Sequence, residues 1–266
     1  MKSVLKYPGA KNRLASWICN YIPKHSVYVE PFFGSGAVFF HKAPCHIETI
    51  NDINDEVVNF FKVLRENPKK LIESIQLTPY ARKEYINAYK IGDSDSDLEK
   101  ARKFCVRCWQ GFGASNRYQN GWRSGQCQTS PNPAKSWSNL QETLDIAAKR
   151  LRSVQIENLS ATELLKRYNT KDVFIYADPP YLPETRKGYL YEYEMTKQDH
   201  IELLELLRKH PGQILLSGYD NDLYNECLSG WKKVQKKTQA ETGLKRIETL
   251  WMNYQIEQMD IFDFLS

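Results

Sequence analysis

Residues 172–181, Asp172-Val173-Phe174-Ile175-Tyr176-Ala177-Asp178-Pro179-Pro180-Tyr181, restrict the fold more than any other part of the chain. The β-branched and aromatic run reads as a buried strand. Two consecutive prolines, which have no N–H to offer a ladder, must end it. Asp178 is thereby placed at the carboxyl end of a strand, the edge where open α/β sheets bind ligands. A carboxylate, two backbone carbonyls and the Tyr181 ring then face one crevice. Those groups suit an exocyclic amino group on a nucleobase, whose lone pair is delocalised into the ring. Acceptors aimed at its N–H bonds favour the geometry that frees the lone pair, and Asp178 and the Pro179 carbonyl are the candidates. Tyr181 is placed to stack on the base, a contact of about 1–3 kcal/mol. Asp178-Pro179-Pro180-Tyr181 on its own is equally a rigid strand-ending turn, so the reading depends on the remaining motifs.

Upstream, Lys6-Tyr7-Pro8-Gly9-Ala10-Lys11 forms a turn before a helix expected over about 13–22. Ser26 to Pro31 is a second strand, running into Phe32-Phe33-Gly34-Ser35-Gly36 and the apolar Ala37-Val38-Phe39-Phe40. A strand, a Gly-x-Gly turn and an expected helix N-terminus let backbone approach a cofactor closely. The third glycine of the dinucleotide fingerprint is missing. The next strand, Ile47 to Ile50, ends in Asn51-Asp52-Ile53, where Asp52 is placed to accept hydrogen bonds from ribose hydroxyls. A helix over 55–65 closes this βαβα unit.

The alternation lapses between 68 and 137. Helical patterns cover 71–89 and 98–109, and the segment from Gly111 to Arg123 contains Asn120-Gly121, a strong two-residue hairpin signal. Such a hairpin is expected to present Arg117, Tyr118, Trp122 and Arg123 outward, suiting base readout by arginine and wedging by an aromatic ring. From Lys100 to Arg152 ten basic residues face two acidic ones, a net of +8 in a chain of net +5. A basic middle on an otherwise acidic chain is the footprint of polyanion binding. From Ser138 the alternation resumes. A capping-box pattern at Ser138–Gln141 opens a helix, strands follow at 154–156 and 213–217, helices at 163–168, 196–210 and 220–228, and a terminal antiparallel pair at 231–238 and 247–254.

The 266 residues suffice for a sizeable core. No apolar run of signal-peptide or membrane-spanning length occurs, and the six cysteines lack framework spacing, so a cytoplasmic protein is expected. Cys105 and Cys108 have no second pair or histidine pair at ligand spacing; buried thiols are expected there rather than a metal.

The order Lys-Tyr-Pro-Gly-Ala-Lys (6–11), Glu-Pro-Phe-Phe-Gly-Ser-Gly (30–36), Asn-Asp-Ile-Asn (51–54), an inserted hairpin region, Asp-Pro-Pro-Tyr (178–181), with Ser217-Gly218-Tyr219 and Glu248-Thr249-Leu250-Trp251, resembles the Dam-like adenine-N6 DNA methyltransferases over nearly the whole chain. The resemblance implies a Rossmann-like α/β methyltransferase sheet with helices on both faces and a terminal antiparallel pair. It also implies a catalytic domain of residues 1–67 and 138–266, and an inserted helical and β-hairpin target-recognition domain at 68–137. S-adenosylmethionine is the implied methyl donor, with an adenine flipped from double-stranded DNA as acceptor. Carried over by position, Tyr7, Lys11, Glu30, Pro31, Phe32, Gly34, Ser35, Gly36, Asp52, Ile53 and Asp178 would bind the cofactor. Asp178, Pro179, Pro180 and Tyr181 would form the catalytic motif, and Arg117, Tyr118, Asn120, Trp122 and Arg123 would meet DNA. Ser160-Ala161 stands where relatives often carry Asp-Phe, so that contact with the cofactor is not carried over. No metal, no membrane and a monomer or weak dimer are expected. A cytosine-N4 methyltransferase would use the same amine chemistry, and a non-enzymatic DNA-binding module would need only the basic insertion.

Overall fold

Strand residues of both parities are apolar in this chain, and in the computed structural model each parity feeds a separate core. The structure describes residues 3–113, 118–185, 191–239 and 245–255. Among them the chain runs α1 (Ala15–Cys19), β1 (Val27–Glu30), β2 (Ile47–Asn51), α2 (Asp55–Glu66), α3 (Pro68–Leu77), α4 (Arg82–Asn87), α5 (Asp97–Gln110), α6 (Pro133–Ser138), α7 (Leu140–Arg150), β3 (Gln155–Glu157), α8 (Ala161–Arg167), β4 (Val173–Ala177), α9 (Lys197–Lys209), β5 (Gln213–Tyr219), α10 (Asp222–Cys227), β6 (Lys232–Gln239) and β7 (Lys245–Met252).

The strands form one sheet in the order β3-β2-β1-β4-β5-β7-β6. The first five are parallel, and β7 is inserted antiparallel between β5 and β6. Tyr28, Phe174, Tyr176 and Leu215 enter one core with α1, α2, α3, α5 and α7. Val29, Ile175, Ala177, Ile214 and Leu216 enter the other with α8, α9 and α10. Covering by helices on both faces is why β4 and the middle of β5 read as continuous apolar runs. The chain reverses strand order beside β1 and β4, and that switch point is where the carboxyl ends splay into a crevice.

Helix ends are set by side-chain caps. Asn54 accepts from the Glu56 N–H to start α2, and Ser160 with Glu163 and Thr196 with Asp199 form reciprocal capping boxes on α8 and α9. The capping box expected at Ser138 does not form. Ser138 ends α6, which starts at Pro133 under an Asn132 cap, and α7 follows with no side-chain cap. The helical pattern of 71–89 is broken into α3 and α4 at Thr78-Pro79, since Pro79 cannot continue a helix. After the Gly-x-Gly turn no α-helix forms: residues 34–42 are turns, held by isolated bonds such as Phe40 N–H to the Gly36 carbonyl. Gly34 (φ +50°) and Gly36 (φ +66°) occupy the left-handed region that interrupts a helical path.

The helices at 68–110 share a core with α2. Leu71, Ile75, Ala101 and Phe104 belong to the same cluster as Val57, Phe60 and Phe61. From α5, the Trp109 indole N–H donates to the Val4 carbonyl at 3.0 Å, and Phe104 lies 6.3 Å from the Tyr7 ring. These contacts tie α5 to the irregular N-terminal segment that carries Tyr7 and Lys11. Cys105 and Cys108 are buried on this helix. Among the described residues no His/Cys/Asp/Glu group could hold a metal, and no helix is long and apolar enough to cross a membrane.

Candidate active site

β4 ends at Ala177 because Pro179 and Pro180 cannot extend the ladder, and this leaves the Asp178 side chain at the crevice. Its Oδ1 accepts from Ser217 Oγ on β5 at 2.8 Å. Its Oδ2 meets Lys11 Nζ at 2.7 Å. Lys11 also donates to the Gly9 carbonyl and stands 3.9 Å from Glu248 on β7. Burial disfavours the ammonium, but Asp178 and Glu248 outweigh it and hold the Lys11 pKa above its ordinary value. Glu248 is the second acid on one cation and the more distant. Burial therefore wins there, and its carboxyl is pushed up to about 7 despite Lys11. The Tyr181 hydroxyl donates to Glu248, its ring stands edge-on to Tyr219 at 4.5 Å, and the Lys11 ammonium lies 4.6 Å from the ring centroid.

Beside this cluster opens a cavity of about 500 Å³, within the range of small-molecule sites. Of the residues expected to hold a cofactor, Tyr7, Lys11, Glu30, Pro31, Phe32, Gly34, Ser35, Asp52, Ile53 and Asp178 line it, as does Pro180. Gly36, Pro179 and Tyr181 are not among its lining residues. Gly36 is instead enclosed by aromatic rings, where a Cβ would meet Phe33 Cζ at 2.4 Å. Gly34 is packed against Tyr7, whose ring lies 3.1 Å from where its Cβ would be. The Gly34 N–H donates to Asp52 Oδ2 at 2.8 Å, and the Asn54 N–H to Oδ1 at 2.9 Å. Burial nonetheless raises the Asp52 carboxyl to about 6. Burial likewise lifts Glu30 well above the carboxylate range, against the Tyr28 hydroxyl that donates to it at 2.7 Å.

Behind the wall, Asn51 fixes the loops by donating to the Pro31 and Leu159 carbonyls and accepting from the Leu159 N–H. Several lining residues carry no motif signal. The segment Tyr191–Met195 and the first turns of α9 complete the wall. Ser160, Ala161 and Thr162 line it too, with the Ser160 hydroxyl engaged by Glu163. Seven acidic residues line the cavity (Glu30, Asp52, Asp178, Glu192, Glu194, Asp199, Glu202), Glu30 with its charge disfavoured by burial, against a single lysine, Lys11, among the described lining residues. Such a wall favours a cationic ligand.

The expected hairpin departs from the sequence reading. Gly111 bridges Trp122, the Phe112 N–H donates to the Gly121 carbonyl, and the Arg123 N–H to the Gln110 carbonyl. Asn120-Gly121 is therefore in the stem. Neither residue has the positive φ that a two-residue hairpin turn demands, whereas Gly113 does at +85°. Asn120 accepts from the Tyr85 hydroxyl through its carbonyl. Trp122 packs against Tyr80 at 5.3 Å, under the Arg82 guanidinium, and Arg123 donates to the Gly111 carbonyl. Both are half-buried on the helices rather than projecting outward. Tyr118 is exposed, joined by Phe112. Arg117 lies outside the described residues.

Residues 7–242 match the family model for D12 class N6 adenine-specific DNA methyltransferases. Among curated relatives, the Type II methyltransferase M.MjaIII of Methanocaldococcus jannaschii is 29% identical, covering 96% of this chain and 99% of its own. The Type II methyltransferase M1.LlaDCHI of Lactococcus lactis subsp. cremoris is 27% identical over 77% of this chain and 78% of its own. The DNA adenine methylase of Vibrio cholerae serotype O1 is 25% identical over 82% of both. The family match spans residues 30–36, 68–137 and 178–181, and it resolves the choice between the two exocyclic amines in favour of adenine N6. This chain belongs to the D12 class N6 adenine-specific DNA methyltransferases.

Proposed function

We propose that the cavity binds S-adenosylmethionine and that Asp178, the Pro179 carbonyl and Tyr181 position an adenine flipped out of duplex DNA for methylation at N6. The observation that carries this reading is the join between an anionic cavity of about 500 Å³ and a strand-end carboxylate beside a held aromatic ring. The donor set fits the cofactor by its chemistry. Carboxylates suit a sulfonium and an ammonium, Lys11 suits a carboxylate, Asp52 suits ribose hydroxyls, and Phe32 and Ile53 give apolar walls for a purine. When bound, S-adenosylmethionine supplies an electrophilic methyl group.

The protein's part is alignment and electrostatics. Ser217 and Lys11 each occupy one lone-pair direction of Asp178, and an ionised carboxylate has about four such sites, so capacity remains for an amino hydrogen. Tyr181 is braced by Glu248 and Tyr219 before any base arrives. Fixed acceptors lie where positive charge develops on N6, which lowers the barrier without reorganisation. The inserted region 68–137 is assigned to target recognition, with the exposed rings of Phe112 and Tyr118 as its contacts to the duplex.

Asp178→Ala tests this assignment. Methyl transfer is expected to be lost while duplex affinity, measured by anisotropy, is retained. Retained turnover would show that this carboxylate is not the acceptor.

A further inference from the structure

Outside residues 100–152 the chain holds another concentration of positive charge. Residues 232–246 contain six basic residues (Lys232, Lys233, Lys236, Lys237, Lys245, Arg246) and one acidic residue, Glu241, a net of +5. Together with the +8 of residues 100–152, this leaves −8 on the rest of the +5 chain. Net positive charge is concentrated in these two stretches and in residues 1–29, which hold five basic residues and no acidic one.

The second stretch is a two-stranded ribbon. β7 pairs with β5 only as far as Glu248, opposite Tyr219. Beyond that point β7 pairs with β6 alone, through Lys237↔Ile247, Thr238↔Arg246 and Gln239↔Lys245. Lys236 stands opposite Glu248, the residue that braces Tyr181, so the ribbon begins at the level of the base-binding ring and rises past it. β6 lies three strand places from β4, about 14 Å at ordinary strand spacing. It stands at the far end of the sheet from α2 and the inserted helices packed on it. Lys236 and Lys237 point to opposite faces of the ribbon and both are exposed. Lys236 extends over the Trp17 ring at 5.5 Å. Lys233 is neutralised by Asp220 at 2.6 Å, lower on the strand. Among the described residues neither Lys236 nor Lys237 has a carboxylate partner.

Lysines on an edge strand commonly serve to block strand addition. That role does not explain why basic residues also occupy β7 where it leaves the main sheet, or why the ribbon rises beside the crevice. An isolated two-stranded ribbon is marginal in water and gains from a partner. We propose that this ribbon contacts the phosphate backbone of the substrate duplex, flanking the flipped nucleotide on the side away from the inserted region. The inference rests on the duplex-DNA reading above. Contacts of this kind position the duplex and carry no sequence information.

Duplex affinity measured against salt tests it. Lys236→Gln/Lys237→Gln and Lys245→Gln/Arg246→Gln keep the edge polar, and Lys209→Gln on α9 is the control. Titrations of a fluorescent unmethylated duplex are run alongside thermal melting and cofactor-induced fluorescence changes, which report folding. For each double variant the slope of log affinity on log salt is expected to become shallower by about 1.8, or 0.9 per phosphate. The affinity gap to the parent then narrows about tenfold between roughly 50 and 200 mM salt. Slopes parallel to the parent's, in a parent that still methylates DNA, would overturn the ribbon and leave the enzymatic reading intact. A parent that transfers no methyl group to DNA would remove both.

Discussion

Glu248→Gln is expected to stabilise the protein at alkaline pH and to leave it unchanged in acid. Glu248 is buried, shares Lys11 with the nearer Asp178, and has its carboxyl lifted from 4.5 to about 7. A folded-state value above the unfolded one means that the native state holds the proton longer than the unfolded chain. Stability therefore falls as pH rises from about 4.5 through 7, and the full cost is present above 7. Its size is about 3 kcal/mol, at about 1.4 kcal/mol per pH unit. Glutamine is close in shape to the protonated acid and keeps an acceptor for the Tyr181 hydroxyl, so it removes the cost without unseating the ring. Denaturant unfolding at pH 8 is expected to show a gain of about 3 kcal/mol, on the order of 6–12 °C in Tm. At pH 4.5 the two proteins should coincide. The slope contributed by Asp52, raised to about 6, remains in both and cancels in the comparison. A variant equally or less stable than the parent at pH 8 would refute the argument that one lysine cannot compensate two buried carboxylates.

Gly36→Ala combines a left-handed backbone with a Cβ driven into Phe33 and Phe40, and is expected to destabilise by about 2–4 kcal/mol in thermal or chemical melts. Trp109→Phe leaves the Val4 carbonyl without its donor, expected to cost about 1–3 kcal/mol and to raise the KM for S-adenosylmethionine, because the segment bearing Tyr7 and Lys11 is loosened. Tyr181→Ala removes a stacking contact of about 1–3 kcal/mol, read as a 5- to 150-fold weaker productive engagement of DNA with cofactor binding retained.

The parallel sheet is legible in the sequence because every core strand is buried on both faces and stopped by Pro, Gly or Asp. The cavity wall from Tyr7 to Asp178 is legible for the related reason that strand ends converge at the switch point. Features that depend on pairing between distant segments are not. Glu248 reaches Tyr181 only through the antiparallel insertion of β7 beside β5, and no spacing announces it. Asn120-Gly121 misleads because Tyr80, Tyr85 and Gln110 hold its neighbours in a stem, and tertiary anchoring outweighs local turn preference. Ser138 and Ser160 carry similar capping patterns, but Ser138 is already the end of α6 and only Ser160 is free to cap.

The most direct test of the central claim is the identity of the base made when labelled S-adenosylmethionine and unmethylated genomic DNA are incubated with the protein and the DNA is digested to nucleosides. The account predicts label in N6-methyladenine. Label in N4-methylcytosine, or none in DNA from a protein that binds the cofactor, would contradict it.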